Sequence, residues 1–344
     1  MRFAGERRGM NKRVINWIVA VIIISVLFYL FFVLFTGADR VYSAMAELDP
    51  LSIPLVLALV FAAYLIRGFR WNYYLRRIKV RIRPGEGQWL YFSGLSMLIT
   101  PMMLSGAIKV GLVKARHRVP ISSSFPIVIV ERLTDLIGML VLIVIAGFAL
   151  ALFEGNMYYI GTTLFVVGFL AVFIGIMRSR RLCRRGIAWL GRGSVRKKLQ
   201  EPLGKAYKSI YSLLSPGSLV IASGIGFLSW AVQWLAFYLI LTGLGMELGM
   251  LETMFIFAFP TVLGVISQLP GGIGAEEGGM LALLLMAGQD AGISVAAILM
   301  YRILTLWFGL LLGIIALKYY TAKYIGDDLR TDEQGTDSSG TVGQ

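Results

Sequence analysis

Two carboxylates, Glu276 and Glu277, stand side by side in QLPGGIGAEEGG, residues 268–279, a stretch with five glycines between two strongly apolar runs. The glycines Gly271, Gly272 and Gly274 let backbone approach a ligand, and a carboxylate beside them suits an ammonium, a sugar or a proton. A glycine-rich turn ahead of a helix also suits phosphate through the helix N-terminus. Two adjacent acids oppose bare phosphate, and the stretch lacks the Lys-Ser/Thr ending of a nucleotide loop. The plainer alternative is a surface loop with solvated acids. Of the two, Glu277 is expected to be the principal acid.

A second group lies in VERLTD, residues 130–135. Glu131 and Asp135 are spaced i, i+4 and share a helix face, and Arg132 and Asp135 are spaced i, i+3. Counted from the start of their apolar run, all three sit roughly 10–15 Å along the helix, and Arg302 sits roughly 15 Å into its own run. Charges at such depth in a bilayer are costly and face a bundle interior or a wet cavity. They read either as part of a substrate site or as an ion-pair cluster that fixes helix packing, and both can hold. Lys109 and Lys114 are the best phosphate candidates, although bases that merely anchor a loop would look the same. His117, among Lys114, Arg116 and Arg118, reads as interfacial. Trp230, Gln233 and Trp234 read as packing.

The elements that carry these groups are membrane-spanning. The chain has 344 residues, 57% hydrophobic and 15% charged, with a mean hydropathy of +0.75; a globular domain carries about 25% charge. One cysteine excludes a disulfide framework, and one histidine opposes a multi-ligand zinc site. The net charge of +14 is explained by cytoplasmic loops under the positive-inside rule, so nucleic acid is not expected as a partner.

Six spans are expected, at residues 14–36, 51–66, 122–152, 157–177, 218–243 and 291–320. Two further segments, 87–119 and 251–288, are broken by Pro101 and by Pro270 with its glycines, and read as helical hairpins that re-enter or cross. RGFRWNYYLRRIKVRIR, residues 67–83, has seven bases and no acid, and reads as a cytoplasmic edge with an aromatic belt. A nine-base run between Arg178 and Lys198 marks a second cytoplasmic loop and a contact with anionic lipid headgroups. The tail beyond residue 320 reads as disordered. Parity puts both termini in the cytoplasm.

The two halves, about 51–152 and 218–320, repeat a pattern. Pro101 and Pro270 are 169 positions apart, and Arg132 and Arg302 are 170 apart. With opposite topology this indicates an inverted repeat, in which substrate sits at the repeat interface.

The chain resembles the lysylphosphatidylglycerol synthase transmembrane-region family, also described as flippase-like membrane proteins, over roughly residues 14–320. The carriers are RGFRW at 67–71, the TP…SG segment at 100–106, VERLTD at 130–135, LPGGIGAEEG at 269–278 and YR at 301–302. Two departures stand out: Gly106 is followed by Ala107 where an acid is usual, and Glu276 stands where an arginine is usual. The resemblance implies an all-α polytopic fold in the cell membrane and translocation of a charged or glycosylated phospholipid or polyprenyl phosphate. No cofactor is expected, and with only a short tail after the last expected span no synthase half is expected. Ion-coupled transport of a small solute, and an accessory role in lipid-linked sugar or amino-acid transfer, are the alternatives.

Overall fold

The computed structural model describes residues 38–47, 52–100, 102–154, 209–267 and 269–325, with isolated positions elsewhere. Apart from those isolated positions, the runs expected at 14–36 and 157–177, the nine-base loop and the tail beyond 325 lie outside the described residues. The chain is helical without strands among the described residues. Among the described residues, five helices are long and apolar enough to cross a membrane.

In chain order the helices are α1 (Ala38–Glu47), α2 (Ser52–Arg77), α3 (Pro84–Leu95), α4 (Met102–His117), α5 (Ile121–Glu154), α6 (Pro216–Gly243), α7 (Met250–Ser267), α8 (Ala275–Met286), α9 (Ala291–Arg302) and α10 (Phe308–Tyr320). A single π turn, Ile303–Trp307, joins α9 to α10, so the last run is one helix with a local widening. Prolines at the first turn open α3 and α6, where the missing N–H costs nothing. Asp290 caps α9 by accepting from the Gly292 and Ile293 amides at 2.7 and 3.1 Å. α5 begins at Ile121, one residue before the expected start, so Ser122, Ser123 and Ser124 lie in its first turn and Pro126 is inside the helix.

Both broken segments are helical hairpins. α3 and α4 form the first, with a turn near Leu98–Thr100; α7 and α8 form the second, with a 3₁₀ turn at Pro270–Gly272. The packing is reciprocal. α2 lies along α6; α3 packs on α10 as α7 packs on α5; α2–α3, α3–α4 and α4–α5 are answered by α6–α7, α7–α8 and α8–α9. A two-fold relation between halves produces such exchanged pairs. Arg132 lies eleven residues past Ile121, and Arg302 lies eleven past Ala291. These contacts agree with the repeat read from the sequence.

Small residues permit the closest crossings. A Cβ on Gly138 of α5 would come within 2.8 Å of the Phe227 amide nitrogen of α6, and a Cβ on Gly313 of α10 would overlap the Leu95–Ser96 backbone. Large apolar side chains face outward, among them Leu152, Phe153, Val220 and Leu311. Such a surface suits hydrocarbon and is costly in water.

The second span departs from expectation. α2 runs to Arg77, well past residue 66, because the segment taken as a belt is core: Arg70, Trp71 and Tyr74 are fully buried. Arg70 and Tyr74 bond to Asp135 and Thr134 of α5, and the Trp71 ring faces Lys109 of α4; these partners lie far along the chain, which is why local sequence suggested an interface.

Candidate functional site

A cavity of about 170 Å³ lies between the halves. The tips of both hairpins reach it, Leu98 and Thr100 from one and Leu269, Gly271 and Gly272 from the other. Non-helical backbone at membrane depth persists where it lines such a space.

α5 supplies the first set of acids. Glu131 Oε2 is 2.6 Å from Lys109 Nζ of α4, and that ammonium also sits 4.2 Å from the Trp71 ring centroid and 5.0 Å from that of Tyr91. Two aromatic faces and one carboxylate therefore hold a buried lysine, as cation–π attraction allows. Asp135 Oδ1 accepts from Arg70 Nη2 at 2.5 Å and from the Trp230 indole at 3.2 Å. Its other oxygen is 3.5 Å from Arg132 Nη1.

The second set is built on α8 and α9. The Arg302 guanidinium reaches three acceptors: Glu276 Oε2 at 2.9 Å, Glu277 Oε1 at 2.8 Å and the Gly271 carbonyl at 3.3 Å. Glu276 also accepts from the Thr261 hydroxyl at 3.1 Å, and Glu277 Oε2 accepts the Gly274 N–H at 2.8 Å. That last bond is the return half of a capping box at the start of α8. Gly271, Gly272 and Gly274 have φ of 63°, 72° and 91°, a region closed to most L side chains.

Glu131, Arg132, Asp135, Lys109, Gly271, Gly272, Glu276 and Arg302 all line the cavity. Three expected residues do not. Lys114 is on an exposed face of α4. Gly274 shapes the α8 entry. Glu277, expected as the principal acid, is fully buried behind Arg302, whereas Glu276, the family departure, faces the cavity.

The sequence missed Arg67, Trp230, Gln233 and Tyr301. Arg67 lines the cavity with its guanidinium carbon 4.0 Å from the Trp230 ring centroid. Its Nε donates to Ser229 Oγ at 2.6 Å, and its Nη2 donates to Gln233 Oε1. Gln233 Nε2 in turn donates to the Tyr301 hydroxyl at 2.8 Å. One signal was available: Arg67 and Arg70 are i, i+3 and lie ten and seven residues before the α2 end at Arg77, about 15 and 10 Å inside the helix.

Comparison with known proteins agrees with this architecture. A UPF0104 membrane protein of Methanothermobacter thermautotrophicus is 24% identical over 324 residues, 87% of this chain and 94% of its own. A UPF0104 membrane protein of Pyrococcus horikoshii is 25% identical over 323 residues, 86% of this chain and 96% of its own. The glycosyltransferase AglD of Haloferax volcanii is 25% identical over 296 residues, 76% of this chain but 47% of its own length. The profile of the lysylphosphatidylglycerol synthase TM region matches residues 17–313. With both hairpins, the charged α5 segment and Arg302 inside that match, the chain belongs to the lysylphosphatidylglycerol synthase transmembrane-region family.

Proposed function

We propose that this protein translocates a lipid with a charged or glycosylated phosphate headgroup across the membrane, as a flippase or scramblase. The observation that carries this reading is the charged cavity between two mirrored hairpins inside an apolar helical bundle. A polar headgroup would enter that cavity while its chains stay against the apolar outer faces. Every carboxylate there is bonded to a guanidinium or ammonium, and a carboxylate so held is a poor general base, which favours binding over catalysis. The cell membrane is the expected location, with both termini and the basic loops on the cytoplasmic side, where those loops meet anionic headgroups. Residues 14–320 would form the translocating domain, flanked by a short N-terminal segment and a C-terminal tail.

The test is reconstitution in vesicles with fluorescent phospholipid and dithionite quenching. Parent protein should expose inner-leaflet lipid to the quencher, and folded Arg132→Ala protein should do so at least about tenfold more slowly, as for loss of a charge-assisted contact. Parent protein that leaves the lipid protected sinks the proposal. A second reading, an accessory role in lipid-linked sugar transfer, draws on the similarity to AglD, which is named a glycosyltransferase. Sugar transfer by the purified chain alone would favour it.

A further inference from the structure

His117, the single histidine of the chain, ends α4 at a junction of three helices outside the cavity lining. Its Nε2 stands 2.8 Å from Oε1 of Glu86, in the first turn of α3. The Tyr320 hydroxyl of α10 donates to the same oxygen at 3.3 Å, and Arg116 Nε lies 3.9 Å from it. Glu86 and Tyr320 are buried. One carboxylate thus fastens the end of α4 to α3 and α10. α3 is held to α10 independently, where Gly313 lets the Leu95–Ser96 backbone approach. α4 is the arm that the clasp secures, and it is exposed at Gly111, Lys114 and Ala115.

The backbone beside the clasp is strained. Helices commonly end at a left-handed residue, usually glycine. The second hairpin keeps to this, with Gly245 ahead of α7 at φ 74° and Gly288 after α8 at φ 78°. The first hairpin makes the corresponding turns at Lys79 and Arg118, 166 and 170 positions earlier, with φ of 65° and 53°. These two are the only non-glycine residues with positive φ among the described residues. A Cβ makes that conformation costly, and such strain concentrates at switch regions. Arg118 directly follows His117, so the strained bend adjoins the clasp: the bend works against the present position of α4, and the clasp holds it there.

We infer that α4 is a hinged arm, bent at Arg118 and held by a proton-dependent clasp of His117 on Glu86. A histidine side chain changes charge between about pH 5 and 8, and a charge-assisted hydrogen bond is roughly twice as strong as a neutral one. Lys114, Arg116 and Arg118 travel with His117 and oppose its charge in either position of the arm. From α10 and the turn after it come Tyr320, with the Tyr324 ring 5.0 Å away, and Lys323, which donates to Tyr319. Arg83 precedes α3 on the surface, and α5 brings no charge before Glu131. Glu86 is the acid of this group, and His117 meets it in the clasped position. A proton on His117 therefore favours the clasp, and rising pH favours release. The same arm carries Lys109 to Glu131, so release reaches the cavity whatever the cavity binds.

The experiment is pulsed dipolar EPR on the full chain in detergent, carrying Cys183→Ser and spin labels at Ala115→Cys and Lys318→Cys, both exposed positions. At about pH 5.5 the label distances should form one narrow population, and at about pH 8.5 a second should grow as the clasped-to-released ratio falls about fivefold or more. His117→Gln keeps a neutral donor and should give one distribution at both pH values. Glu86→Gln should do the same, and serves alone should His117→Gln misfold. Arg118→Gly, made in the His117→Gln background so that no proton on residue 117 responds, should raise the clasped-to-released ratio about fivefold, because glycine takes the left-handed bend without strain. A parent distribution indifferent to pH, or a pH response that persists in either His117→Gln or Glu86→Gln, overturns the clasp. An unchanged ratio in Arg118→Gly overturns the hinge. None of these measurements involves lipid transfer, so failure of the translocation reading in vesicles leaves the clasp standing, and failure of the clasp leaves that reading standing.

Discussion

The two hairpins share a backbone plan and oppose each other in charge. In the first, the hairpin supplies the base and the long helix the acid: Lys109 of α4 meets Glu131 of α5. In the second, the hairpin supplies the acids and the long helix the base: Glu276 and Glu277 of α8 meet Arg302 of α9. The mirror reaches the surroundings only in part. Lys109 is caged by the rings of Trp71 and Tyr91, whereas Arg302 is tied to a glycine carbonyl at the hairpin tip. Packing is preserved between the halves in that corresponding helices meet the same partners in exchanged order. The chemistry is free to diverge, because an ion pair buried between helices keeps its fit when its partners exchange sign.

The largest expected effect follows from removing the cation that serves two acids. Arg302→Ala leaves two carboxylates buried without their partner and should cost more than the roughly 3–5 kcal/mol typical of breaking one buried pair. Thermal unfolding in detergent measures it, and a loss no greater than that of Lys109→Ala would break the comparison. Next, exchanging the first pair, Lys109→Glu with Glu131→Lys, should recover most of the stability lost in either single variant, since the second hairpin already works with the reversed sign. A double variant as unstable as the sum of the singles would show that the aromatic cage around Lys109, not the pairing, governs that site.

Gly313→Val should separate α10 from α3 and cost about 1–3 kcal/mol through overpacking, with Gly138→Val acting similarly between α5 and α6. A flat unfolding midpoint for either would argue that the crossing is looser than the geometry indicates. Between the two adjacent acids, Glu276→Gln should alter lipid transfer more than Glu277→Gln does in the vesicle assay. The Glu277 carboxylate lies behind Arg302, and a glutamine oxygen can still accept the Gly274 amide. The smallest effect belongs to Lys114→Ala, on an exposed helix face, which should stay within about 0.5 kcal/mol of the parent, as surface changes usually do.

Much of the fold was legible. Apolar run lengths located α5, α6 and the α9–α10 run, and proline and glycine located both hairpin breaks, because these signals are local. The equal spacing of Arg132 and Arg302 showed the repeat for a related reason: a charge deep in a helix is rare enough to serve as a marker. Arg67 and Arg70 were misplaced because they begin a basic stretch whose later members, Arg81 and Arg83, do lie at the chain surface or near it. Nothing local separates a buried arginine from an interfacial one. The separating facts are Asp135, 65 positions away from Arg70, and Gln233, 166 positions away from Arg67.

The sequence by itself determined that the chain is a helical membrane protein with two interrupted hairpins, and that Glu131, Asp135 and Arg302 lie inside the bundle, since period, length and hydropathy act within one segment. Only the tertiary structure decided which acid meets which base. It turned Glu276 rather than Glu277 to the cavity, drew Glu277 into the α8 cap, and left Arg67 bonded to Ser229 and Gln233 with no carboxylate paired to it among the described residues. Those outcomes depend on the rotation of each helix about its axis, and that rotation is set by the summed packing of all its neighbours.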